Sequence, residues 1–258
     1  MKILILCASD RSNVKVALTI LKYICKTKDN ISVCVIDNDK NILEFLKKKK
    51  IKFKKNYKDF LKNKVRTNDF DWLLNIWSPL ILKKEFLKKF RNNLNLHPSY
   101  LPFSKGKDPY VWTVQNEVPV GVTIHEMTEK LDSGRFYLRK KYSLNFPLTG
   151  GDVFNFTLRK CVDEFIKNWN KIKTKKVKLK KYPIKINKVF KRLDLINDNF
   201  IDLDQKKNLF IKNLLLKILS QDFDFLKMQV KYKKKIFDAK LLLDESKKKN
   251  MVIDINNE

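Results

Sequence analysis

The chain has 258 residues, 43% of them hydrophobic, which is enough to bury the core of one large domain or of one domain with a small appendage. No apolar run approaches the roughly 20 residues that span a bilayer, so we expect a cytoplasmic protein without a membrane partner. Four scattered cysteines, with no C-x-x-C pair, argue against a zinc site or a disulfide framework. The net charge of +29 comes from lysines in nearly every segment, so we discount it as evidence for nucleic acid and read it as attraction to anionic substrates.

The first 77 residues alternate between short apolar runs and amphipathic stretches. The predicted strands are residues 3–6, 31–36 and 72–76, the last interrupted by Asn75, and the predicted helices are residues 14–24 and 42–46. This alternation predicts an α/β fold, a Rossmann-like and mostly parallel sheet flanked by helices. No G-x-G-x-x-G sequence follows the first strand, so a dinucleotide fingerprint is absent.

The middle of the chain continues this pattern. Residues 94–97 read as a strand that Pro98 ends, and residues 121–126 and 136–142 read as a pair of strands. Thr149 and Asp152 have the spacing of a helix start, and an apolar face follows them to Trp169.

A basic, weakly patterned stretch around residues 171–181 suggests a domain boundary. We therefore expect a main domain at residues 1–180 and a small accessory domain at residues 181–258. The accessory domain should contain an amphipathic helix around Phe210 and Leu214, a β-hairpin between residues 228 and 243, and a frayed tail.

Glycine and histidine mark a candidate site. All five glycines lie between Gly106 and Gly151, and both histidines, His97 and His125, lie in or just before that window. Side chains two apart in a strand share a face, so Asn95 and His97 should point together into a cleft. Asp132 follows His97 by 35 residues, in a tight turn. An amide, an imidazole and a carboxylate together predict acyl transfer without a covalent nucleophile.

Structural explanations for these residues stay open at this point. A histidine at a strand end is more often structural than catalytic, and an Asp-Ser-Gly sequence is usually only a turn. His125 shares a strand face with Thr123, and either lines the cleft or is a satisfied polar neighbour. The spacing indicates a site and does not name the reaction.

Short motifs carry a resemblance to a known family. They are Asn95-Leu96-His97-Pro98-Ser99-Tyr100-Leu101-Pro102, Lys105-Gly106, Gly121-Val122-Thr123-Ile124-His125 and Leu131-Asp132-Ser133-Gly134. In this order and spacing they resemble the signature of the folate-dependent formyltransferases, over about residues 70–142. The resemblance implies that Asn95, His97 and Asp132 are the catalytic trio, that residues 1–180 form the catalytic domain, and that no metal takes part.

Further residues resemble the sugar-nucleotide N-formyltransferase branch of this family. They are Pro109-Tyr110-Val111-Trp112, residues 119–126, and the stretch from Lys191 to Asp204. The resemblance implies formyl transfer from N10-formyltetrahydrofolate to a dTDP- or UDP-linked amino-deoxy sugar destined for surface glycans such as lipopolysaccharide. The expected partner is thus a nucleotide-linked amino sugar, with no specific nucleic acid, and we expect a homodimer.

The resemblance also assigns binding residues. The expected co-substrate contacts are Trp77, Ser78, Pro79, Leu80, Met127 and Lys130. The expected sugar-nucleotide contacts are Ser9, Arg11, Asn13, Lys105, Gly106, Tyr110 and Trp112.

Two other functions compete with this one. Methionyl-tRNA formyltransferase shares the trio, and a charge of +29 suits tRNA, but the 75 residues after Pro183 are few for the RNA-binding barrel of that branch. A non-catalytic, basic RNA-binding protein would use the C-terminal aromatic residues interleaved with lysines. Those aromatic residues fit the core of a small hairpin better.

Overall fold

The structure is a computed structural model that describes residues 1–8, 15–55, 66, 69–144, 149–194, 206–212, 214, 228–232 and 235–239. The chain divides into two compact units, Met1–Leu195 and Ile196–Glu258. Residues 181–194 group with the first unit, and the domain boundary at residue 180 stays a prediction. Within the described ranges, no helix is long and apolar enough to cross a membrane.

The first unit is built on one sheet and its flanking helices. Its strands are β1 (Lys2–Cys7), β2 (Asn30–Val35), β3 (Lys52–Lys54), β4 (Trp72–Ile76), β5 (Asn92–His97), β6 (Gly121–His125) and β7 (Phe136–Lys141). Its helices are α1 (Val16–Ile24), α2 (Lys40–Lys48), α3 (Lys84–Leu87), α4 (Pro109–Gln115) and α5 (Gly150–Lys173). The second unit contains a 3₁₀ turn (Lys206–Asn208) and the antiparallel pair β8 (Met228–Tyr232) and β9 (Lys235–Ala239).

The strand order of the sheet is β3-β2-β1-β4-β5-β6-β7. Strands β1 to β5 pair in parallel, whereas β6 pairs antiparallel with both β5 and β7. Parallel neighbours need a crossover, which helices α1 and α2 help to supply, while the short link between β6 and β7 permits antiparallel pairing. The predicted α/β fold with a mostly parallel sheet is confirmed.

The two faces of the sheet have different surroundings. One face carries alternate apolar side chains of the strands and is covered by α1, α2 and α5, with Trp72 packed edge-on against Trp169. The other face has a smaller apolar cluster in which Leu6 and Leu73 lie under Phe86 of α3. This second cluster ends at β4, and the strand face beyond it becomes polar.

The start of α5 follows the sequence prediction. The Thr149 hydroxyl accepts from the Asp152 backbone N–H at 3.0 Å, and the Asp152 carboxylate accepts from the Thr149 N–H at 2.9 Å. This reciprocal capping box satisfies two backbone donors that a helix start leaves unpaired. The predicted antiparallel pairing is also confirmed for residues 228–232 with 235–239, while the outer part of the hairpin and most of the preceding predicted helix lie outside the described residues.

Candidate active site

The β5–β6 pairing places the polar side chains of the site. Asn95 lies opposite His125, and His97 lies opposite Thr123, in the antiparallel register. Side chains directly opposite each other share a face of the sheet, so both imidazoles project from the polar face. The Asn95 amide Nδ2 is 3.1 Å from Nε2 of His125. The amide and the second histidine are therefore in direct contact.

Asp132 lies between the two imidazoles. Its Oδ2 is 3.6 Å from His97 Nδ1, and its Oδ1 is 3.6 Å from His125 Nε2. The backbone N–H of Gly106 donates to Oδ2 at 2.8 Å and fixes the carboxylate. All three side chains are buried. The Asp132 carboxylate therefore interacts with both imidazole rings in a site that has little access to solvent.

Backbone carbonyls determine which ring nitrogens carry protons. A carbonyl oxygen only accepts, so His125 Nδ1 donates to the Glu126 carbonyl at 2.7 Å, and His97 Nε2 donates to the Ser104 carbonyl at 3.1 Å. Burial lowers the pKa of His125, and Asp132 opposes this shift only in part. His125 is therefore neutral, and its Nε2 lone pair accepts from the Asn95 amide.

The turn that carries Asp132 is held by close backbone approaches. Asp132 itself has φ of +48°, and a Cβ on Gly134 would lie 2.0 Å from the Glu126 carbonyl oxygen. A side chain at residue 134 would force the turn away from β6. The Arg135 guanidinium also donates to Glu126, at 2.9 Å and 3.1 Å, which ties the two ends of the link together.

An open cleft reaches this cluster from the side of α3. It is lined by Asn75, Leu80, Ile81, Leu82, Leu87, Asn95, His125, Met127, Thr128, Glu129, Leu131 and Asp132. Apolar side chains form its outer walls, and Asn75, Asn95, His125 and Asp132 form its polar end. This lining suits a molecule whose apolar part meets the walls and whose reactive polar group lies at the inner end.

The family model for formyl transferase matches residues 1–157. The chain belongs to the formyl transferase family. Among curated relatives, the methionyl-tRNA formyltransferase of Borrelia recurrentis is 32% identical over 94 residues, which cover 36% of this chain and 30% of that protein. The chain thus matches less than a third of the length of this relative.

Solved structures of formyltransferases share the fold. A 4-N formyltransferase from Francisella tularensis is 19% identical with a TM-score of 0.66, and the match covers 95% of this chain and 98% of that one. An N-formyltransferase from Helicobacter canadensis, in complex with folinic acid and dTDP-3-aminofucose, is 18% identical with a TM-score of 0.65, and covers 93% and 96%. At these identities the likeness concerns the fold.

Among the expected co-substrate contacts, the structure places Leu80 and Met127 on the cleft. Trp77, with φ of +64°, lies with Ser78 and Pro79 in the loop that leads from β4 to Leu80. Lys130 is exposed in the link between β6 and β7. The binding roles of these six residues stay predictions.

The structure describes four of the seven expected sugar-nucleotide contacts. Lys105 is buried, its ammonium donates to the Ile186 carbonyl at 2.8 Å and to Ser133 at 3.1 Å, and burial lowers its pKa. Tyr110 donates to Asp108 at 2.9 Å, and Trp112 stacks on Phe190 with ring centroids 4.3 Å apart. Gly106 lies against the backbone of Phe190. The remaining three, Ser9, Arg11 and Asn13, lie outside the described residues.

Three residues of this region escaped the sequence-based prediction of the site. His125 was left open between two roles, although its alternation with Thr123 already placed it on one strand face. Asn75 was visible as a polar interruption of the β4 run. Phe190 gave no signal, because its pairing with Gly106 joins residues 84 positions apart.

Proposed function

We propose that this chain transfers the formyl group of N10-formyltetrahydrofolate to the amine of a nucleotide-linked amino-deoxy sugar. The observation that carries the proposal is the placement of Asn95, His125 and Asp132 at the inner end of an open cleft, with His97 Nδ1 3.6 Å from Asp132 Oδ2. Membership of the formyl transferase family supports this reaction class. The sugar acceptor is our choice among the substrates that this class serves.

The cleft fits the co-substrate in its distribution of polarity. Leu80, Leu82 and Met127 offer apolar walls to a planar ring system, while Asn95 and Asp132 face the end where a formyl group would react. The co-substrate supplies an electrophilic formyl carbon when it is bound. We assign its contacts to residues 77–80 and to Met127 and Lys130.

Asn95 has the role of an oxyanion donor in this proposal. One N–H of its amide is directed to His125 Nε2, and the other has no protein partner within the described part of the chain. That second N–H can donate to the formyl oxygen as negative charge develops there. His125, held neutral, fixes the amide orientation so that nitrogen and not oxygen faces the reacting group.

His97 and Asp132 have the role of handling the proton of the amine. The 3.6 Å between His97 Nδ1 and Asp132 Oδ2 is an ion-pair distance, and Asp132 lines the cleft while His97 is buried next to it. A primary amine that attacks the formyl carbon gains positive charge, which the Asp132 carboxylate stabilises. The imidazole would then take this proton and pass it to N10 of the co-substrate as the bond between the formyl carbon and N10 breaks, so that tetrahydrofolate leaves.

Several observations favour a sugar acceptor. One solved structure that aligns over more than nine-tenths of the chain is an N-formyltransferase in complex with dTDP-3-aminofucose. The Trp112–Phe190 stack lies close to the Asp132 turn, since Gly106 contacts the Phe190 backbone and donates to Asp132. We assign nucleotide recognition to this region, together with the predicted contacts Ser9, Arg11, Asn13 and Lys105.

Methionyl-tRNA formyl transfer is the second candidate. It is favoured by several curated relatives that are methionyl-tRNA formyltransferases, such as those of Borrelia recurrentis and Borreliella afzelii. The matched parts cover 36% and 55% of this chain, and 30% and 50% of those proteins. A dTDP-4-amino-4,6-dideoxyglucose formyltransferase of Mycobacterium bovis is similar as well, 31% identical over 61 residues.

The test is a panel of amino-deoxy sugar nucleotides and charged initiator tRNA, each incubated with N10-formyltetrahydrofolate and followed by mass spectrometry. We expect one formyl group to be added to a sugar nucleotide and none to the tRNA. Asn95→Ala and His97→Ala should each lose about 10²–10³ in kcat, because one oxyanion donor or proton carrier is removed. The matched control is Asn155→Ala, on the exposed face of α5. Formylation of the tRNA alone would replace the sugar proposal with the second candidate.

A further inference from the structure

Asn75 is a buried polar residue in an apolar strand. It lies at the carboxyl end of β4, beside Leu6 of β1 and beside Asn95 of β5 in the two parallel registers. Side chains at paired positions share a face, so Asn75 stands between the apolar cluster of that face and the candidate catalytic amide. Asn75, Asn95 and His125 then form a row across three neighbouring strands.

The amide of Asn75 is not satisfied by the protein. The residue is only 7% exposed, and its Oδ1 has no hydrogen-bond partner among the described residues. Its Nδ2 reaches the Ser78 carbonyl at 3.5 Å, the limit of a hydrogen bond, which directs Oδ1 away from that loop. A buried acceptor without a donor destabilises the folded chain, and a leucine here would extend the cluster of Leu6 and Leu73.

The unsatisfied oxygen belongs to a residue that lines the cleft. Because it is an acceptor, it calls for an N–H or O–H donor from a bound molecule. Neighbouring strands are about 4.8 Å apart, so the donor must lie roughly one strand spacing from the group held at Asn95. It must also lie on the side of Leu80 and Leu82, away from Gly106 and Lys105.

The chemistry of the co-substrate supplies such a donor. In N10-formyltetrahydrofolate, N5 carries a hydrogen and is joined to N10 through two carbon atoms. A formyl group held at Asn95 therefore brings the N5–H within the neighbourhood of the next strand, where Asn75 lies. In the 7,8-dihydro form N5 is an imine nitrogen, with a lone pair and no hydrogen. Asn75 Oδ1 would therefore face a donor in the tetrahydro form and a second acceptor in the dihydro form.

We propose that Oδ1 of Asn75 accepts a hydrogen bond from N5–H of the co-substrate, and that this contact makes the chain select the tetrahydro form over the dihydro form. The inference rests on the proposed use of a folate co-substrate and goes beyond it, because it assigns selection of the oxidation state to one side chain. Asn75 acts in binding and in setting the depth of the ring system, while the proton transfer remains with His97 and Asp132.

The experiment measures binding, by titration calorimetry, of tetrahydrofolate and of 7,8-dihydrofolate under anaerobic conditions. Wild-type protein should bind tetrahydrofolate about tenfold more tightly, as expected for one hydrogen bond gained against one acceptor clash. In Asn75→Leu the two affinities should become nearly equal, mainly because tetrahydrofolate binds less tightly. The free Asn75→Leu protein should also melt at a higher temperature than wild type, because the unsatisfied amide is gone.

Two further variants complete the design. Asn75→Asp keeps an acceptor at this position and should keep the preference for tetrahydrofolate, which guards against misfolding of the leucine variant. Asn155→Leu, on the exposed face of α5, should keep both affinities of the wild type. Equal selectivity in wild type and Asn75→Leu would overturn the inference. Failure of wild type to bind either compound would instead overturn the proposed function, so the two failures are distinguishable.

Discussion

Asp132→Asn tests the candidate site most directly, because it removes a negative charge and changes little else. The amide has nearly the shape of the carboxylate, and its oxygen can still accept from the Gly106 N–H, which donates at 2.8 Å. What disappears is the charge that lies 3.6 Å from a nitrogen of both His97 and His125. The variant should therefore fold, and the loss should appear in the chemistry.

The size of the loss follows from Coulomb's law. Two unit charges 3.6 Å apart interact by about 1 kcal/mol in bulk water and by about 4–5 kcal/mol at the effective dielectric constant of about 20 that suits such sites. Because Asp132 is buried, we take the upper part of this range. About 3–4 kcal/mol of lost stabilisation corresponds to a fall of about 10²–10³ in kcat. The effect on KM should be small, since the charge acts on the proton and not on the bound ground state.

Two measurements check this prediction. Single-turnover formyl transfer gives the rate, and NMR titration of the imidazole signals reports on the electrostatics, which is favourable because the chain has only two histidines. Asp132 raises the pKa of His125 against the effect of burial, so its removal should shift the His125 titration to lower pH. The control is Asp163→Asn, an exposed carboxylate on α5 paired with Lys160 at 3.2 Å. Turnover within threefold of wild type, with an unchanged His125 titration, would show that the reasoning is wrong.

Two other predictions concern the scaffold. Gly106→Ala should lower the free energy of unfolding by about 1–3 kcal/mol, because φ is +93° and a Cβ would lie 2.1 Å from the Phe190 carbonyl oxygen. Urea unfolding measures this loss. The matched control is Gly150→Ala, where an added Cβ meets no atom within 4 Å. Burial would raise the pKa of Glu164, but the hydrogen bonds that it accepts, first from Lys140, hold the pKa below its ordinary value. The contribution of Glu164 to the stability of the fold is therefore present above the unfolded pKa of about 4.3 and is lost as the pH falls. Thermal melts between pH 7 and pH 3 should therefore decline less steeply for Glu164→Gln than for wild type, and parallel declines would contradict the assigned ion pair.

Local signals explain which parts of the fold could be predicted. The strands β1 and β4 and the second half of β2 are apolar runs that are buried on both faces. The start of α5 is encoded in the reciprocal Thr149 and Asp152 bonds. Strand β3 is only three residues long, Lys52–Lys54, with exposed lysines, and carries no apolar run. Helix α4 has seven residues and starts at Pro109, too short for a helical period to show.

The candidate site was predictable only where it depends on neighbours along one strand. Asn95 and His97 share a face because they are two residues apart, and the sequence alone tells this. The contacts of Asp132 with two rings depend on the β5–β6 register and on the return of the chain after β6, which are pairings between distant residues. Asn75 beside Asn95 depends in the same way on the parallel pairing of β4 with β5.

The register of β6 therefore has consequences for both histidines. A slip of one residue would turn His125 to the opposite face of the sheet and leave the Asn95 amide without its acceptor. The β6–β7 ladder contains an irregularity at this point: Ile124 pairs with Leu138 while His125 pairs with Phe136, so that Tyr137 is an extra residue in β7. Such bulges bend a strand and are frequent beside active sites. Here the extra residue lies at the start of β7, one position after Phe136, where the link from Glu126 to Arg135 that carries Asp132 enters the strand.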